Sequence, residues 1–528
     1  MDKLDFSQFQ ASLARDAAAT TTISIILSII SLSLLCSTLT GPTTAWNPIA
    51  QYIRKRITAW RYLLNGPRLI EEGYRKSDGE PYEVLAPDSR YVFISSPKHI
   101  KELDHAPDAA LSLLGAAKHM LQPKYTMNGF NWFERRGVEG IGFVRTLRTL
   151  LTNNLPQILP DLSIKSKTVF DELLETHPVV NGTRHSPVYP MLMKLVVQLN
   201  ALALFGQELV GNVEFMSSAL PYVEQTLLIS EVVKLLPGFL KPVVGSVLSR
   251  RLNAQKTFFG CLVPATELRV QERDLKQLGH DVPKRADCIQ WIIDTAPKQN
   301  PWSAERVINE LMAIWFGSVH ILTTTIVYAV QDLCLHPEYI DPIRRELESD
   351  YAEFERTAKG LPLLDSFLRE SARLTPVESM STRRRALQPF TFSDGTALNV
   401  GDWACSPSGV MMRDPSQFPS PERFDGFRFV DPAVLENLDR PLDPQAQPKT
   451  SQKPAQFTDI DSSFLMWGYG RMACPGRYYA SAFMKVVVGQ ILMKYDLKLV
   501  EPDAPRWMTW RAAMLPSNKT TVVFTPRS

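Results

Sequence analysis

The segment "WGYGRMACPGR", residues 467–477 of a 528-residue chain, has the most distinctive composition in the sequence. It contains three glycines, and glycine has no Cβ, so the backbone can pass close to a bulky group. Pro475 suits the first turn of a helix, which places Cys474 at a helix start, where the helix dipole and free backbone N–H groups favour a thiolate. We interpret the stretch as a tight loop that presents Cys474 to a large flat partner.

The chain has six cysteines, and none of them is in a short spacing such as C-x-x-C. This pattern suggests neither a disulfide framework nor a zinc site, because zinc requires about four protein ligands. A single thiolate on an iron whose equatorial nitrogens come from haem fits the count. We therefore take Cys474 as the predicted metal ligand.

The composition is that of a globular protein, with 45% hydrophobic and 21% charged residues. The formal net charge of +3 is too small and too dispersed to indicate nucleic-acid binding. No repeat of 20 to 50 residues is present, which excludes a solenoid.

The pattern of apolar residues predicts a mainly α fold with a smaller β-sheet region. Residues 140–375 have helical spacing, and their longest helix begins after the N-cap Ser303 and ends at His336. Gly317 interrupts this helix, which suggests that another group approaches closely there. Short alternating runs predict strands over 389–410, whereas 431–463 has the composition of a long loop. The helix predicted after Cys474 has one apolar stripe, formed by Ala480, Phe483, Met484, Val487, Val488 and Ile491.

The N-terminal region predicts one membrane anchor. Residues 20–40 are uncharged and apolar over a length that crosses a bilayer, after a short tail at 1–19. Basic residues that follow place the remainder, 41–528, on the cytoplasmic side. A cleaved signal peptide and a buried core helix are the alternatives to this interpretation.

The chain resembles the cytochrome P-450 family of haem-thiolate monooxygenases, in its microsomal fungal form. The loop is similar to the family pattern F-x-x-G-x-(R/H)-x-C-x-G, with Gly470, Cys474 and Gly476 in place. Trp467 replaces the usual phenylalanine. Met472 replaces the usual basic residue, so a contact to a haem propionate is missing or is taken over by Arg471.

A second motif supports the resemblance. Glu370 and Arg373 lie three residues apart, so a carboxylate and a guanidinium can pair on one helix face. In the family this pair is joined by a further arginine. The segment "FDGFRF", residues 424–429, makes Arg428 the expected partner, with Arg423 as the second choice. The resemblance implies that these residues are scaffold.

The third motif lies on the long helix, where the family usually has (A/G)-G-x-(D/E)-T over the haem. The matching residues here are 317–321, "GSVHI". Because Ile321 stands at the threonine position, proton supply is expected to use Ser318, His320, ordered water or a substrate hydroxyl. We name Ser318, His320 and Thr323 as candidate catalytic residues. Ordinary packing is the alternative for His320 and for Thr323.

The resemblance also implies arginines that bind the haem propionates, because the guanidinium fork suits carboxylates. Arg384 and Arg148 are the candidates, while Arg383, Arg385 and Arg145 compete with them. The predicted residues at the cofactor are Cys474, Arg384, Arg148, Trp467 and Arg471.

The activity that the resemblance implies is oxidation of an apolar small molecule with dioxygen and haem b. Electrons would come from NADPH through a separate NADPH–cytochrome P-450 reductase, at the endoplasmic reticulum membrane. A fungal terpenoid, indole or polyketide intermediate is the expected substrate, and the segment 375–381 is expected to line its pocket. Desaturation, ring closure, rearrangement or peroxide-dependent chemistry on the same fold is one alternative. A membrane-tethered haem-binding protein without turnover is the other.

Overall fold

The computed structural model describes residues 58–127, 142–448 and 453–527. Helices dominate these residues, and a π-helix at Thr146–Leu151 and 3₁₀ turns at Pro337–Tyr339 and Gly470–Met472 accompany them. The α-helices are α1 Tyr62–Ser77, α2 Pro97–His105, α3 Leu113–Leu121, α4 Pro123–Thr126, α5 Gly142–Arg145, α6 Leu155–Glu175, α7 Val188–Val210, α8 Val213–Leu235, α9 Lys241–Ser249, α10 Asn253–Gln277, α11 Cys288–Thr295, α12 Ala304–Leu335, α13 Ile340–Thr357, α14 Pro362–Leu374, α15 Ser408–Met411, α16 Pro432–Glu436 and α17 Arg477–Lys494.

The strands form small sheets at the edge of the helical body. The largest described sheet has five strands in the order β1-β2-β9-β6-β3, and another has the order β10-β13-β5-β4. The pairs β11-β12 and β7-β8 form hairpins. The strands are β1 Tyr82–Leu85, β2 Arg90–Phe93, β3 Leu111–Ser112, β4 Val179–Val180, β5 Thr183–Pro187, β6 Ser381–Ala386, β7 Phe390–Thr391, β8 Ala397–Leu398, β9 Trp403–Ser406, β10 Tyr495–Leu499, β11 Trp507–Trp510, β12 Ala513–Pro516 and β13 Thr521–Pro526.

These elements confirm the predicted class, mainly α with a smaller β region. Strands β7, β8 and β9 lie within the predicted range 389–410. In the described part of the predicted loop 431–463, only the short helix α16 interrupts irregular chain. The predicted tail 1–19 and anchor 20–40 lie outside the described residues, as do residues 41–57 of the predicted catalytic domain.

The long helix α12 passes through the centre of the molecule. The side chain of Ser303 accepts a hydrogen bond from the backbone N–H of Arg306, which confirms the predicted N-cap. Most of its residues are buried, and Trp315 packs edge-on against Phe205 of α7 with ring centroids 5.0 Å apart. The helix has no interruption at Gly317. Its rigid axis therefore fixes one wall of the interior.

Helices α7 and α12 are also long and apolar enough to cross a membrane, by length and composition alone. The most apolar windows of the two helices are 72% and 67% buried inside the protein. Apolar helices that are mostly buried inside a protein are typical of its core. Their length and composition therefore do not by themselves indicate that they span a membrane.

The helix that follows the cysteine loop begins later than the sequence predicts. Gly476 is the N-cap of α17, so Pro475 lies before the helix rather than in its first turn. The predicted apolar stripe on this helix is confirmed, because all of its members are buried. These residues are Ala480, Phe483, Met484, Val487, Val488 and Ile491. Packing of the stripe against the core holds the loop in front of it.

A buried charge cluster ties α14 to the segment that follows α15. The Nε of Arg373 donates to Glu370 at 2.7 Å, and the Nε of Arg428 donates to the same carboxylate at 3.1 Å. All three side chains are fully buried. The predicted partner Arg428 is thus confirmed, while Arg423 contributes only its backbone carbonyl, which accepts from Arg428.

Candidate active site

A cavity of about 330 Å³ lies between α12, the cysteine loop and the segment that joins α14 to β6. Its lining is mainly apolar and includes Ile314, Leu322, Met380 and Leu465. Cys474 lines the same cavity. The structure thus places the predicted metal ligand in the wall of a mainly apolar cavity, and small-molecule sites are commonly found in such cavities.

The cysteine loop fixes the position of the sulfur through its backbone. The N–H of Cys474 donates to the carbonyl of Trp467 at 2.7 Å. Burial raises the pKa of the Cys474 thiol. The backbone N–H of Gly476 and the charges of Arg477 and Arg148 act in the opposite direction. The surroundings thus supply donors to a thiolate, although burial alone disfavours its charge.

Trp467 forms a second support of this loop. Its indole N–H donates to the carbonyl of Phe457 at 2.6 Å, and its ring lies in the cavity wall. An aromatic residue with an N–H donor at this position therefore anchors the loop beside the cavity.

Arg471 is not placed at the cavity, contrary to the expectation that it replaces the basic residue missing at Met472. Its Nε donates to the carbonyl of Asp104 at 2.5 Å, and its guanidinium lies 3.2 Å from Asp108. Gly470 has a φ of +60°, and a Cβ there would lie 2.2 Å from a carboxylate oxygen of Asp104. The close approach of α2 to the loop therefore holds Arg471 away from the cavity.

Arg148 lies in the π-helix and supports the loop from its other side. One of its Nη atoms donates to the carbonyl of Arg471 at 2.7 Å. Arg148 is near enough to Cys474 to lower the pKa of the thiol, but its side chain is not part of the cavity lining.

Arg384 lines the cavity and is only 4% exposed. Its hydrogen bonds within the described residues go to the carbonyls of Thr382 and Arg383, at 3.3 and 2.9 Å. Burial lowers the pKa of its guanidinium to about 10, although Asp104 and Asp108 act in the opposite direction. The buried charge of Arg384 thus lacks a carboxylate in direct contact within the described part of the chain.

Ser318 lines the cavity and belongs to a chain of hydrogen bonds that the sequence did not reveal. Its Oγ accepts from the side-chain amide of Asn200 at 2.6 Å and donates to the carbonyl of Trp315 at 3.1 Å. The hydroxyl of Tyr479 donates to the amide oxygen of Asn200 at 3.1 Å. Burial raises the pKa of Tyr479 well above its ordinary value, so its hydroxyl keeps its proton. No sequence pattern links residues from α7, α12 and α17.

The structure does not bring His320 or Thr323 to the lining of this cavity. Thr323 is fully buried, and its hydroxyl donates to the carbonyl of Val319 at 2.8 Å, next to Met193 of α7. The Nε2 of His320 is buried without a hydrogen-bond partner in the described residues. Burial lowers the pKa of His320 to about 4, so the ring is neutral at pH 7. Both placements are those of packed core residues.

A further polar feature of the cavity was also missed. Glu378 and Arg383 both line the cavity and form an ion pair. Glu378 was included only as part of the segment 375–381, and Arg383 only as an alternative propionate anchor. The tertiary structure joins them because a bulge at Thr382, whose φ is +50°, shifts the register of β6.

The cavity residues fit a haem group. A buried thiol lies at one wall, and a buried arginine that lacks a carboxylate partner lies at another. At Gly317, a Cβ would have no atom within 4 Å, so the helix leaves open space on the cavity side. An iron porphyrin with two carboxylates has chemistry that complements these features.

Comparisons with known proteins agree with this geometry. The family model of cytochrome P-450 matches residues 72–524. The cytochrome P-450 monooxygenase olcJ of Penicillium canescens is 26% identical over 93% of this chain and 88% of its own length. For ptmQ of Penicillium ochrochloron, the identity is 27% over 89% of this chain and 88% of that protein.

A solved structure, retinoic-acid-bound cyanobacterial CYP120A1, superposes with a TM-score of 0.60. The superposition covers 89% of this chain and 96% of the other chain, at 18% sequence identity. At this identity, the likeness concerns the fold alone.

Proposed function

The chain belongs to the cytochrome P-450 family, and its similar curated proteins are monooxygenases. We propose that it is a monooxygenase that oxidises an apolar small molecule with electrons from NADPH. The family binds haem through a cysteine thiolate. The single observation that carries the proposal is the position of Cys474 in the wall of an apolar cavity. A fungal terpenoid, indole or polyketide intermediate is the substrate that we propose, because the cavity lining is mainly apolar.

We propose that the thiolate of Cys474 would hold the haem iron. When bound, the haem supplies dioxygen activation, which thiolate ligation promotes. The Gly476 N–H and the nearby charges of Arg477 and Arg148 stabilise the negative sulfur. The carbonyl of Trp467 holds the backbone of Cys474 in place, so the direction of the sulfur is set before the haem binds.

We propose Arg384 as the principal propionate anchor. It lines the cavity and its charge is buried without a direct carboxylate partner in the described residues. A propionate would neutralise that charge with bidentate hydrogen bonds. Arg383 is a weaker candidate because it already pairs with Glu378.

Ser318 is the residue that we propose for proton supply at the cavity. Its hydroxyl lies between Asn200 and the cavity, and the hydroxyl of Tyr479 lies at the other end of the same amide. Rotation of the Ser318 hydroxyl from the Trp315 carbonyl would turn its proton toward the cavity. Asn200 then holds the serine oxygen in position.

One observation favours the alternative of peroxide-dependent chemistry on the same fold. Ile321, at the usual threonine position, lines the cavity and is 39% exposed. An aliphatic side chain there excludes water and does not deliver protons. Such a wall suits a reaction that starts from a peroxide, because a peroxide already carries the two electrons and two protons that dioxygen would otherwise have to receive.

The partner and the location are part of the proposal. We propose an NADPH–cytochrome P-450 reductase as the electron donor and the endoplasmic reticulum membrane as the location. Residues 20–40 would form a single anchor, and the catalytic domain 41–528 would face the cytoplasm. The basic residues after the apolar segment support this orientation.

The test is expression with a reductase in a host that makes terpenoid, indole or polyketide scaffolds, followed by product analysis. Purified, reduced protein treated with carbon monoxide should show the red-shifted absorption of a thiolate-ligated haem. Cys474→Ser should abolish both this absorption and the product. Full turnover by the Cys474→Ser protein would overturn the proposal.

A further inference from the structure

The ion pair Glu378–Arg383 is a polar element in the mainly apolar wall of the cavity. The two side chains line the cavity, and each is 23% exposed. Removing a charge pair from water is costly, and apolar residues of similar volume often replace such pairs without loss of stability. The pair therefore calls for an explanation beyond stability.

The surroundings of the pair hold it in place. The backbone at Glu378 forms a bridge with Ala513 of β12, and the N–H of Ser379 donates to the carbonyl of Ala512 at 2.9 Å. Arg383 projects from the bulged part of β6, and its Nη1 lies 3.7 Å from the sulfur of Met120 in α3. Three elements thus fix the pair, so its polar atoms have a defined direction.

The pair leaves hydrogen-bonding groups unused. Arg383 uses Nη1 for Glu378 Oε2. Within the part of the chain that the structure describes, Glu378 Oε1 accepts no hydrogen bond, and Arg383 Nε and Nη2 donate none. One free acceptor and free donors thus lie side by side at the cavity wall.

We infer that Glu378 and Arg383 form a polar subsite that binds a neutral hydroxyl group of an otherwise apolar substrate. This inference rests on the proposed function, because it concerns the substrate of the same cavity. A hydroxyl group donates to Glu378 Oε1 and accepts from Arg383 at the same time. The pair is already neutral as a unit, so it offers no net counter-charge that would offset the cost of removing a carboxylate or an ammonium from water.

Arg383 and Arg384 differ in their charge partners. Arg384 has carbonyl partners only in the described residues, and its charge fits a haem propionate. Arg383 has its own carboxylate and is left for the substrate. Two adjacent arginines of one strand thus serve two different ligands.

The test compares the binding of matched probes to the haem-loaded protein by equilibrium dialysis. The probes are a saturated tetracyclic hydrocarbon and its terminal secondary alcohol, ketone and carboxylic acid. Because hydrogen bonds to charged groups are strong, the alcohol should bind about tenfold or more tightly than the hydrocarbon. The ketone should lie between them because it only accepts, and the carboxylic acid should bind more weakly than the alcohol.

The double variant Glu378→Leu with Arg383→Met removes both charges together and leaves no unpaired charge. It should bind the hydrocarbon at least as well as the wild type and lose the preference for the alcohol. The control is Glu272→Leu with Arg285→Met, a partly buried ion pair outside this cavity, which should keep the preference. The single substitution Glu378→Gln preserves the shape of the wall and should reduce the preference by a smaller factor.

Equal binding of alcohol and hydrocarbon by the wild type, or an unchanged preference in the double variant, would overturn the inference. So would tighter binding of the carboxylic acid than of the alcohol. Loss of haem from an Arg383→Met protein would assign Arg383 to the cofactor instead. Failure of the proposed function would appear separately, as absence of reductase-supported oxygen consumption in a protein that still distinguishes the probes.

Discussion

The buried arginines Arg373 and Arg428, which form a first group, differ from the buried Arg384 in what neutralises the positive charge. Arg373 and Arg428 share the carboxylate of Glu370, and their remaining nitrogens donate to backbone carbonyls such as that of Met412. Arg384 is buried to a similar degree, but in the described residues it has carbonyl partners only. The first group is complete within the chain, which is what a scaffold requires. For Arg384 we propose that a haem propionate supplies the missing counter-charge.

The largest expected effect is at the carboxylate that completes the first group. Glu370→Gln leaves two buried guanidinium groups without their counter-charge, which costs about 3–5 kcal/mol. Urea unfolding should show this loss in the free energy of unfolding. The control is Glu353→Gln, because the Arg356–Glu353 pair is exposed and such pairs contribute about 0.5 kcal/mol. Equal losses in the two variants would remove the distinction between scaffold and ligand arginines.

His320 differs from the buried arginines because its side chain can be neutral when it is buried. Burial lowers its pKa from 6.5 to about 4. As the pH falls, the unfolded chain binds the proton first, so the stability present above about pH 6.5 is lost between about 6.5 and 4. This loss amounts to about 3 kcal/mol, because one pKa unit corresponds to about 1.4 kcal/mol.

The measurement is the free energy of unfolding against pH for the wild type and for His320→Asn. The variant should lose about 3 kcal/mol less over this window. His119, whose pKa burial lowers to about 3, is present in both proteins and cancels in the comparison. Parallel curves for the two proteins would show that folding does not lower the pKa of His320.

Sequence patterns sufficed where the interactions are local or where a motif fixes them. The N-cap Ser303 and the apolar stripe of α17 depend on neighbours within one helix, and both were predicted. Glu370 and Arg373 are three residues apart on one helix, so their ion pair could also be predicted. The resemblance of residues 424–429 to the family's pattern selected Arg428 over Arg423, and the structure pairs Arg428 with Glu370.

The rest of the site depends on elements far apart in the chain. Arg471 was expected at the cavity, but the approach of α2 places its guanidinium against Asp104 and Asp108. Asn200 comes from another helix than Ser318, and no spacing connects the two. A bulge in β6 decides where Arg383 points, and register shifts of this kind are not visible in a sequence.

Arg384→Met should weaken the binding of haem without destabilising the fold, because it removes the arginine proposed to bind a propionate. Loss of one bidentate carboxylate partner should speed the release of haem to an excess of a scavenging globin by about tenfold. Far-ultraviolet circular dichroism should stay that of the wild type, because the substitution leaves no unpaired charge in the described structure. Unchanged haem release would assign the propionate to another arginine, and Arg148→Met is the next variant to measure.

A change of the same order as that for Arg384→Met is predicted at Ser318, where the cavity meets the polar chain through Asn200 and Tyr479. Ser318→Ala removes a hydroxyl that water replaces in part. The product formed per NADPH consumed should therefore fall to about a tenth, which is less than the loss of about a hundredfold or more expected when a general acid is removed. Thr323→Ala is the matched control, because it removes a hydroxyl of the same helix that donates to the Val319 carbonyl. The control should keep the wild-type ratio. An equal fall in both variants would mean that packing of α12, and not proton supply, sets the coupling. A larger solvent isotope effect in Ser318→Ala than in Thr323→Ala would instead locate the slowed step in proton transfer at the cavity.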